Sequence, residues 1–243
     1  MSSGVISIGA CAMSQLAKKR CDDVASGAAD TCIMIVDDHP VVREGFAHFI
    51  ESEPGMRVCY QSASASEAFR IYCDHRPDVV LVDLILEEGS GIELIKDIVA
   101  RDPAARLIVI SAHDENVYAE RCLRAGAMGY VSKQEATEHI LDAIGLVMAG
   151  DFYLSSHLSS VLLRRVAGHA DDEDVDATTS LSDRELEVFE LLGRGKSISE
   201  IAHHLHLSPK TIETYRAHLK EKLHIGSSQQ LARRAFQWVE QAV

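Results

Sequence analysis

Five short apolar runs constrain this chain more than any other feature: Ile33–Val36, Val58–Tyr60, Val79–Val82, Leu107–Ile110 and Tyr130–Val131. Helical patterns at about 41–53, 64–75, 90–101, 115–125 and 135–149 alternate with them. Strand alternating with helix predicts a parallel sheet covered on both faces. Runs that are apolar throughout, rather than at every second residue, fit strands buried from both sides. The expected fold of residues 31–150 is therefore an α/β, doubly wound, five-stranded parallel sheet. Such sheets bind ligands beyond the carboxyl ends of their strands. Asp37 and Asp38 follow the first run, Asp83 the third and Ser111 the fourth, and Lys133 follows the fifth after Ser132.

Singly, each of these residues has a plain explanation as a strand-end turn, a helix entry or a solvated amine. Together they would gather three carboxylates, a hydroxyl and an amine on one edge. Clustered carboxylates repel one another and hold their protons unless a cation intervenes. A hard divalent ion with oxygen ligands, Mg²⁺, is the natural partner. Beside such an ion an aspartate can attack a phosphoryl group, with Lys133 and Ser111 holding the other phosphoryl oxygens. His39 reads as a loop residue before Pro40, not as a phosphorylated histidine.

The sequence Ile35–Asp38 (IVDD), with Leu81–Leu84 (LVDL), Ile110–Ala112 (ISA) and Tyr130–Lys133 (YVSK), resembles the flavodoxin-like receiver domain of bacterial two-component response regulators. The resemblance implies a phosphoacceptor at Asp83. It implies a Mg²⁺ site made by Asp37, Asp38, Asp83 and the backbone carbonyl of Ile85. Ser111 becomes the switch hydroxyl, Tyr130 the switch aromatic that turns inward on phosphorylation, and Lys133 the phosphate-contacting lysine. The implied phosphodonor is the histidine of a partner sensor kinase. One departure stands out: Leu86-Glu87-Glu88 occupies a place where the family commonly has Met-Pro-Gly. Two extra carboxylates so close to the pocket bear on metal affinity and phosphoryl lifetime.

The first thirty residues read as a disordered leader, because their positive charges (Lys18, Lys19, Arg20) follow the apolar stretch instead of preceding it. No apolar run reaches the ~18 residues of a membrane span, so a cytoplasmic protein with no membrane partner is expected. The six cysteines form no C-x-x-C pair and read as ordinary reduced thiols. Net charge is −13, unevenly spread: residues 30–150 carry 21 acids and 10 bases, whereas 180–243 carry eight acids and nine bases. Residues 151–179 read as an acidic linker in which Leu158–Val166 has the pattern of a short helix and Asp171–Asp174 a solvated tether.

Residues 180–243 predict a small all-α unit of four helices. Ser182 with Glu185, and Ser197 with Glu200, form capping boxes. Ser208 caps a third helix that begins at Pro209. Short helix, tight turn and longer helix make a helix-turn-helix, whose second helix enters the major groove. The opening Leu181–Val188 (LSDRELEV), Ile201-Ala202 and Leu207–Glu213 (LSPKTIE) resemble LuxR-type DNA-binding domains. With a receiver in front, the chain is similar to NarL/FixJ-type response regulators. Ser208, Lys210 and Thr211 sit where hydroxyls, an amine and free backbone N–H groups can bind phosphate; by the resemblance Lys210, Thr211, Glu213, Thr214 and Ala217 face double-stranded DNA, with Arg216 and Lys220 as further contacts. Tyr215 stands where the family often has His. His203, His204 and His206 lack the spacing of a helical metal site and read as surface residues. The fourth helix resembles the family's dimer helix. The resemblance implies a transcription factor that forms a homodimer when phosphorylated, and a resting receiver that can cover the recognition helix. Two other readings remain for the sequence alone. A Mg²⁺-dependent phosphohydrolase with Asp83 as nucleophile would need a substrate lid, for which no insertion is long enough. An atypical regulator that no longer accepts phosphate sits badly with the complete set Asp37, Asp38, Asp83, Ser111 and Lys133.

Overall fold

The computed structural model describes residues 30–86, 88–113, 115–166 and 177–241. Residues 1–29 of the expected leader and the acidic run Asp171–Asp174 lie outside them. Five strands, β1 (Thr31–Val36), β2 (Met56–Ser62), β3 (Val79–Val82), β4 (Leu107–Ser111) and β5 (Gly129–Ser132), form one sheet of order β2-β1-β3-β4-β5. Every pairing is parallel. The intervening helices are α1 (Pro40–Glu51), α2 (Ala65–His75), α3 (Gly91–Arg101), α4 (Glu115–Ala125) and α5 (Ala136–Ala149).

Alternation along the strands divides the core in two. Ile33, Ile35, Val79, Leu81, Ile108, Ile110 and Val131 pack with Phe46 and Ile50 of α1 and Ile140, Ile144 and Val147 of α5. Met34, Val36, Val80, Val82, Leu107, Val109 and Tyr130 face α2, α3 and α4. After α5 the chain returns to the outer edge of β5. Tyr153 N donates to Met128 O at 2.9 Å, and Tyr130 N donates to Tyr153 O at 3.2 Å, forming a parallel bridge between Gly129 and Tyr153. The expected linker helix is α6 (Ser156–Val166), seated on α4 through buried Leu158. Ser155 Oγ donates to Glu115 Oε1 at 2.9 Å, fixing its entry.

The reading of all cysteines as reduced thiols is overturned: Cys32 and Cys59 form a disulfide between β1 and β2. Cys32 is in register with Arg57, two residues before Cys59. Regular strands would hold such a diagonal pair about 8 Å apart, beyond the ~7 Å limit for a bridge. The register slips between Ile33 and Met34, so Cys59 is the extra residue of a bulge, and bulges re-aim side chains. The Cα atoms stand 5.6 Å apart.

A 3₁₀ turn (Ala177–Ser180) leads into α7 (Asp183–Gly193), α8 (Ile198–His204), α9 (Pro209–Lys222) and α10 (Ser228–Gln241). Both capping boxes form as the sequence predicts. Ser208 caps α9 by accepting from Thr211 N at 3.1 Å, with Pro209 at the first helical position. Leu186, Phe189, Ile201, Ile212, Leu219, Leu231, Ala235 and Trp238 make the inner faces, continuous with the core over α3 and α4. Gly193 lets α7 and α10 close up, since a Cβ there would collide with Ala235 O. Among the described residues no helix is long and apolar enough to cross a membrane.

Candidate phosphoryl pocket and its link to the helix-turn-helix

β1 and β3 are neighbours at the point where strand order reverses, which is where α/β sheets open a crevice. Asp37 emerges beyond β1 and Asp83 beyond β3, and both are buried. Asp83 N donates to Val36 O at 2.8 Å, tying the two strand ends together. Asp37, Asp38, His39 and Asp83 each bring one ligand atom within 4.8 Å of the others. Lys133, from the loop after β5, closes the cluster: its Nζ lies 2.6 Å from Asp37 Oδ2 and 2.7 Å from Asp83 Oδ2. Leu84 N donates to the other Asp83 oxygen at 2.8 Å. Ser111 ends β4, fully buried, and Lys133 N donates to its carbonyl at 2.8 Å. Gly91 opens α3 hard against β3: a Cβ there would stand 2.8 Å from Leu84 Cα and overlap Asp83 O.

Burial pushes the Asp83 carboxyl up to about 6, with Lys133 pulling it down and Asp37 and Asp38 repelling its charge. Burial also opposes the charge on Lys133, but Asp83 and Asp37 outweigh it and hold the amine above its ordinary value. The donor set suits a hard divalent ion. Three carboxylates converge, and Asp38 Oδ1, shut off from solvent, accepts no hydrogen bond although His39 Nδ1 is 2.6 Å away. Ile85 lies in the loop from β3 to α3, bridged to Ser90. Glu88 pairs its backbone with Ser64 and leaves its side chain exposed, outside the carboxylate cluster. Glu87 lies outside the described residues.

Tyr130 links this pocket to the second module. It is already inside, 1% exposed, and its hydroxyl donates to His113 O at 2.9 Å. His113 is two residues beyond Ser111, whose Oγ accepts its backbone N–H at 3.2 Å. Its ring reaches the second module: Nδ1 lies 3.3 Å from Glu190 Oε1 of α7, and Nε2 lies 3.4 Å from Arg194 Nη2. Tyr118 of α4 donates to Glu190 Oε2 and packs against Trp238 of α10. Asp183 takes Lys96 at 2.7 Å and Arg121 at 3.0 Å, and Ser90 Oγ donates to Glu187. Burial drives the Tyr118 hydroxyl well above its usual pKa, with Glu190 adding to it, and pushes the Glu187 carboxyl up. His113 is pushed down by burial; Glu190 opposes that, while Arg194 and Lys133 add to it.

Sequence reasoning did not single out His113, Tyr118 or Glu190. Its one usable signal was Glu190 itself, a carboxylate inside the apolar run Val188-Phe189-Glu190-Leu191-Leu192.

Among the described residues the first module touches α7 and α10 through these groups, and Gly89 N donates to His204 O of α8 at 3.5 Å. Ser208, Lys210, Glu213, Thr214 and Ala217 of α9 are exposed, and Thr211 and Lys220 half-buried. Arg216 is tucked in: its Nη1 donates to both oxygens of Glu213, at 2.9 and 3.0 Å, and its buried Nε has no partner. Tyr215 is half-buried against the core.

Residues 33–145 match the model of the response regulator receiver domain, and residues 179–235 that of the LuxR family of bacterial regulatory proteins. The chain is 33% identical to the oxygen regulatory protein NreC of Staphylococcus haemolyticus over 208 residues, spanning 84% of this chain and 96% of that one. It is 32% identical to NreC of Staphylococcus carnosus, with the same coverage. Among solved structures it resembles a LuxR-family two-component response regulator from Aurantimonas sp. (37% identity, 57% of this chain and 99% of that one, TM-score 0.54). It also resembles RcsB of Salmonella enterica serovar Typhimurium bound to promoter P1flhDC in the presence of phosphomimetic BeF3⁻ (25% identity, 85% and 98%, TM-score 0.65). A parallel-sheet receiver, a LuxR-type helix-turn-helix and relatives matched over nearly their whole length place this chain among the two-component response regulators: a phosphoacceptor switch acting as a transcription factor, not an enzyme.

Proposed function

We propose that Asp83 accepts the phosphoryl group from the phosphohistidine of a partner sensor kinase. The receiver spans 31–150, the linker 151–179 and the DNA-binding unit 180–243. The P–N bond to the kinase histidine breaks, a P–O bond to the Asp83 carboxylate forms, and the imidazole leaves with its electron pair. The observation that carries this reading is Lys133 Nζ set between Asp37 and Asp83, at 2.6 and 2.7 Å. An amine at that distance is within reach of the oxygens of a phosphoryl group on Asp83. Asp37, Asp38, Asp83 and the Ile85 carbonyl would hold Mg²⁺, which supplies charge neutralisation on the transferring oxygens. Ser111 and Lys133 then orient the phosphoryl group.

The output follows from position. Ser111 and Lys133 draw toward the new oxygens, and His113, whose N–H bonds Ser111 Oγ, moves with them. His113 touches Glu190 and Arg194, so its movement loosens the hold on α7 and α10. The freed unit pairs as a homodimer through α10 and reads two half-sites about one helical turn apart, in the cytoplasm. Lys210, Thr211, Glu213, Thr214 and Ala217 face the groove, and Ser208 the phosphates.

Incubation of the full chain with acetyl phosphate and Mg²⁺ tests the reading. Wild type gains one phosphoryl group, stable in acid and lost to hydroxylamine, and Asp83→Asn gains none. Equal labelling of Asp83→Asn would sink the assignment.

A further inference from the structure

We propose that Cys32 and Cys59 are a reversible dithiol/disulfide site that reacts with low-molecular-weight disulfides of the glutathione type. Two features select this pair. The bulge at Cys59 shortens a diagonal that regular strands keep too long, to a Cα separation of 5.6 Å. Both cysteines are half-buried rather than sealed, so a small disulfide reaches them from solvent. The other described cysteines contrast with them. Cys122 is a free thiol fully buried in α4, where burial pushes its pKa up and keeps it protonated. Cys73 is a free thiol on α2.

The strand pairing does not depend on the bridge. β1 is held on its other side by four residue pairs with β3 and by the residue before it: Asp78 Oδ2 accepts from Cys32 N at 2.9 Å, and Asp78 N donates to Cys32 O at 2.8 Å. Thr31 N donates to Gly55 O at 2.8 Å on the β2 side. The sheet therefore persists when the bridge opens, which reversible exchange requires. In thiol-buffered surroundings such pairs act as transient, redox-responsive bonds.

The exchange balances as follows. One cysteine thiolate attacks a sulfur of the external disulfide RSSR, forming a mixed disulfide and expelling RS⁻. The second cysteine thiolate attacks the protein sulfur of that mixed disulfide, closing the Cys32–Cys59 bond and expelling the second RS⁻. Two electrons pass from the cysteine pair to RSSR, and the two thiol protons end on two RSH.

The bridge sits at the start of β1. Asp37 lies five residues further on, about 16 Å along an extended strand. Oxidation thus braces the β1–β2 edge without entering the acidic pocket, and the proposal stands apart from the phosphoryl reading.

The test equilibrates full-length protein with reduced and oxidised glutathione at several ratios, quenches with iodoacetamide and maps the peptides without reduction. In oxidising mixtures a cross-linked peptide should join Cys32 to Cys59, and both should be alkylated separately in reducing ones. Cys32→Ser should instead leave a glutathione adduct on Cys59, and Cys59→Ser one on Cys32. The thermal midpoint of wild type should rise on oxidation, and that of Cys32→Ser should not. The proposal is overturned if, with circular dichroism native, wild-type Cys32 and Cys59 stay alkylatable in oxidising mixtures. It is equally overturned if they carry glutathione without closing, or join other cysteines.

Discussion

Tyr118 of α4 donates its hydroxyl to Oε2 of Glu190 in α7 at 2.5 Å, a hydrogen bond between two buried groups of different domains. Glu190 Oε1 takes Arg194 at 2.8 Å and lies 3.3 Å from His113. A buried acceptor robbed of its donor bears the full cost of desolvation, about 1–3 kcal/mol. Tyr118→Phe should weaken docking of the two domains by that amount. A donor–acceptor dye pair on the two domains should show a larger open fraction, and an unchanged distance distribution would refute the role given to this bond.

Docking should also respond to pH through His113. Its pKa is lowered in the docked chain, chiefly by burial, so the docked form binds fewer protons than an undocked form with the ordinary value of 6.5. Docking is then fully retained above pH 6.5 and weakens as pH falls below it. The charged groups facing the ring are Glu190, Arg194 and Lys133. Glu187, raised by burial, acts in the opposite sense, from a lower ordinary value. The same dye pair should report opening between pH 7 and 5.5 in wild type, and His113→Asn should lose that opening.

Lys133→Ala removes the amine shared by Asp37 and Asp83. Losing one preorganised charge at the reacting oxygens should slow labelling by acetyl phosphate roughly 10²–10³-fold. Lys133→Arg should recover little, because a planar fork does not replace a point charge. Labelling rates at saturating Mg²⁺ decide the matter.

Two glycines make a contrast in sign. Gly91→Ala drives a methyl into the backbone at Asp83 and Leu84 and should cost about 1–3 kcal/mol of stability by overpacking. Gly145→Ala, in α5 with nothing within 4 Å, should gain up to about 1 kcal/mol from helix propensity. Urea unfolding of both variants, read by circular dichroism, gives the two signs directly.

On α9, Lys210 is exposed while Arg216 is engaged with Glu213. Lys210→Ala should lower the salt slope of DNA affinity by about one counterion, and Arg216→Ala should leave the slope nearly unchanged. Fluorescence anisotropy across a salt series separates the two.

The sheet was legible because each strand announces itself as an apolar run and each catalytic candidate follows one of those runs. Asp37, Asp83 and Lys133 needed only the strand order to be brought together. The capping boxes at Ser182 and Ser197 were legible because capping is local. The disulfide was not: a register slip at Ile33/Met34 depends on how two strands meet, not on either strand's composition. Nor was the domain seam. Tyr118 and His113 lie 72 and 77 residues before Glu190, the acid they share, and no period in either segment points to the other. Tyr130 was legible as a β5 residue, but its burial was not, since that depends on the same core that α4 shares with the second domain.

The stub at Tyr153 has a consequence for assembly. An exposed strand edge invites a neighbouring molecule to continue the sheet. On the β5 side the chain's own backbone occupies that position beside Gly129 and Tyr130. Two copies of this protein cannot merge into one ten-stranded sheet through β5.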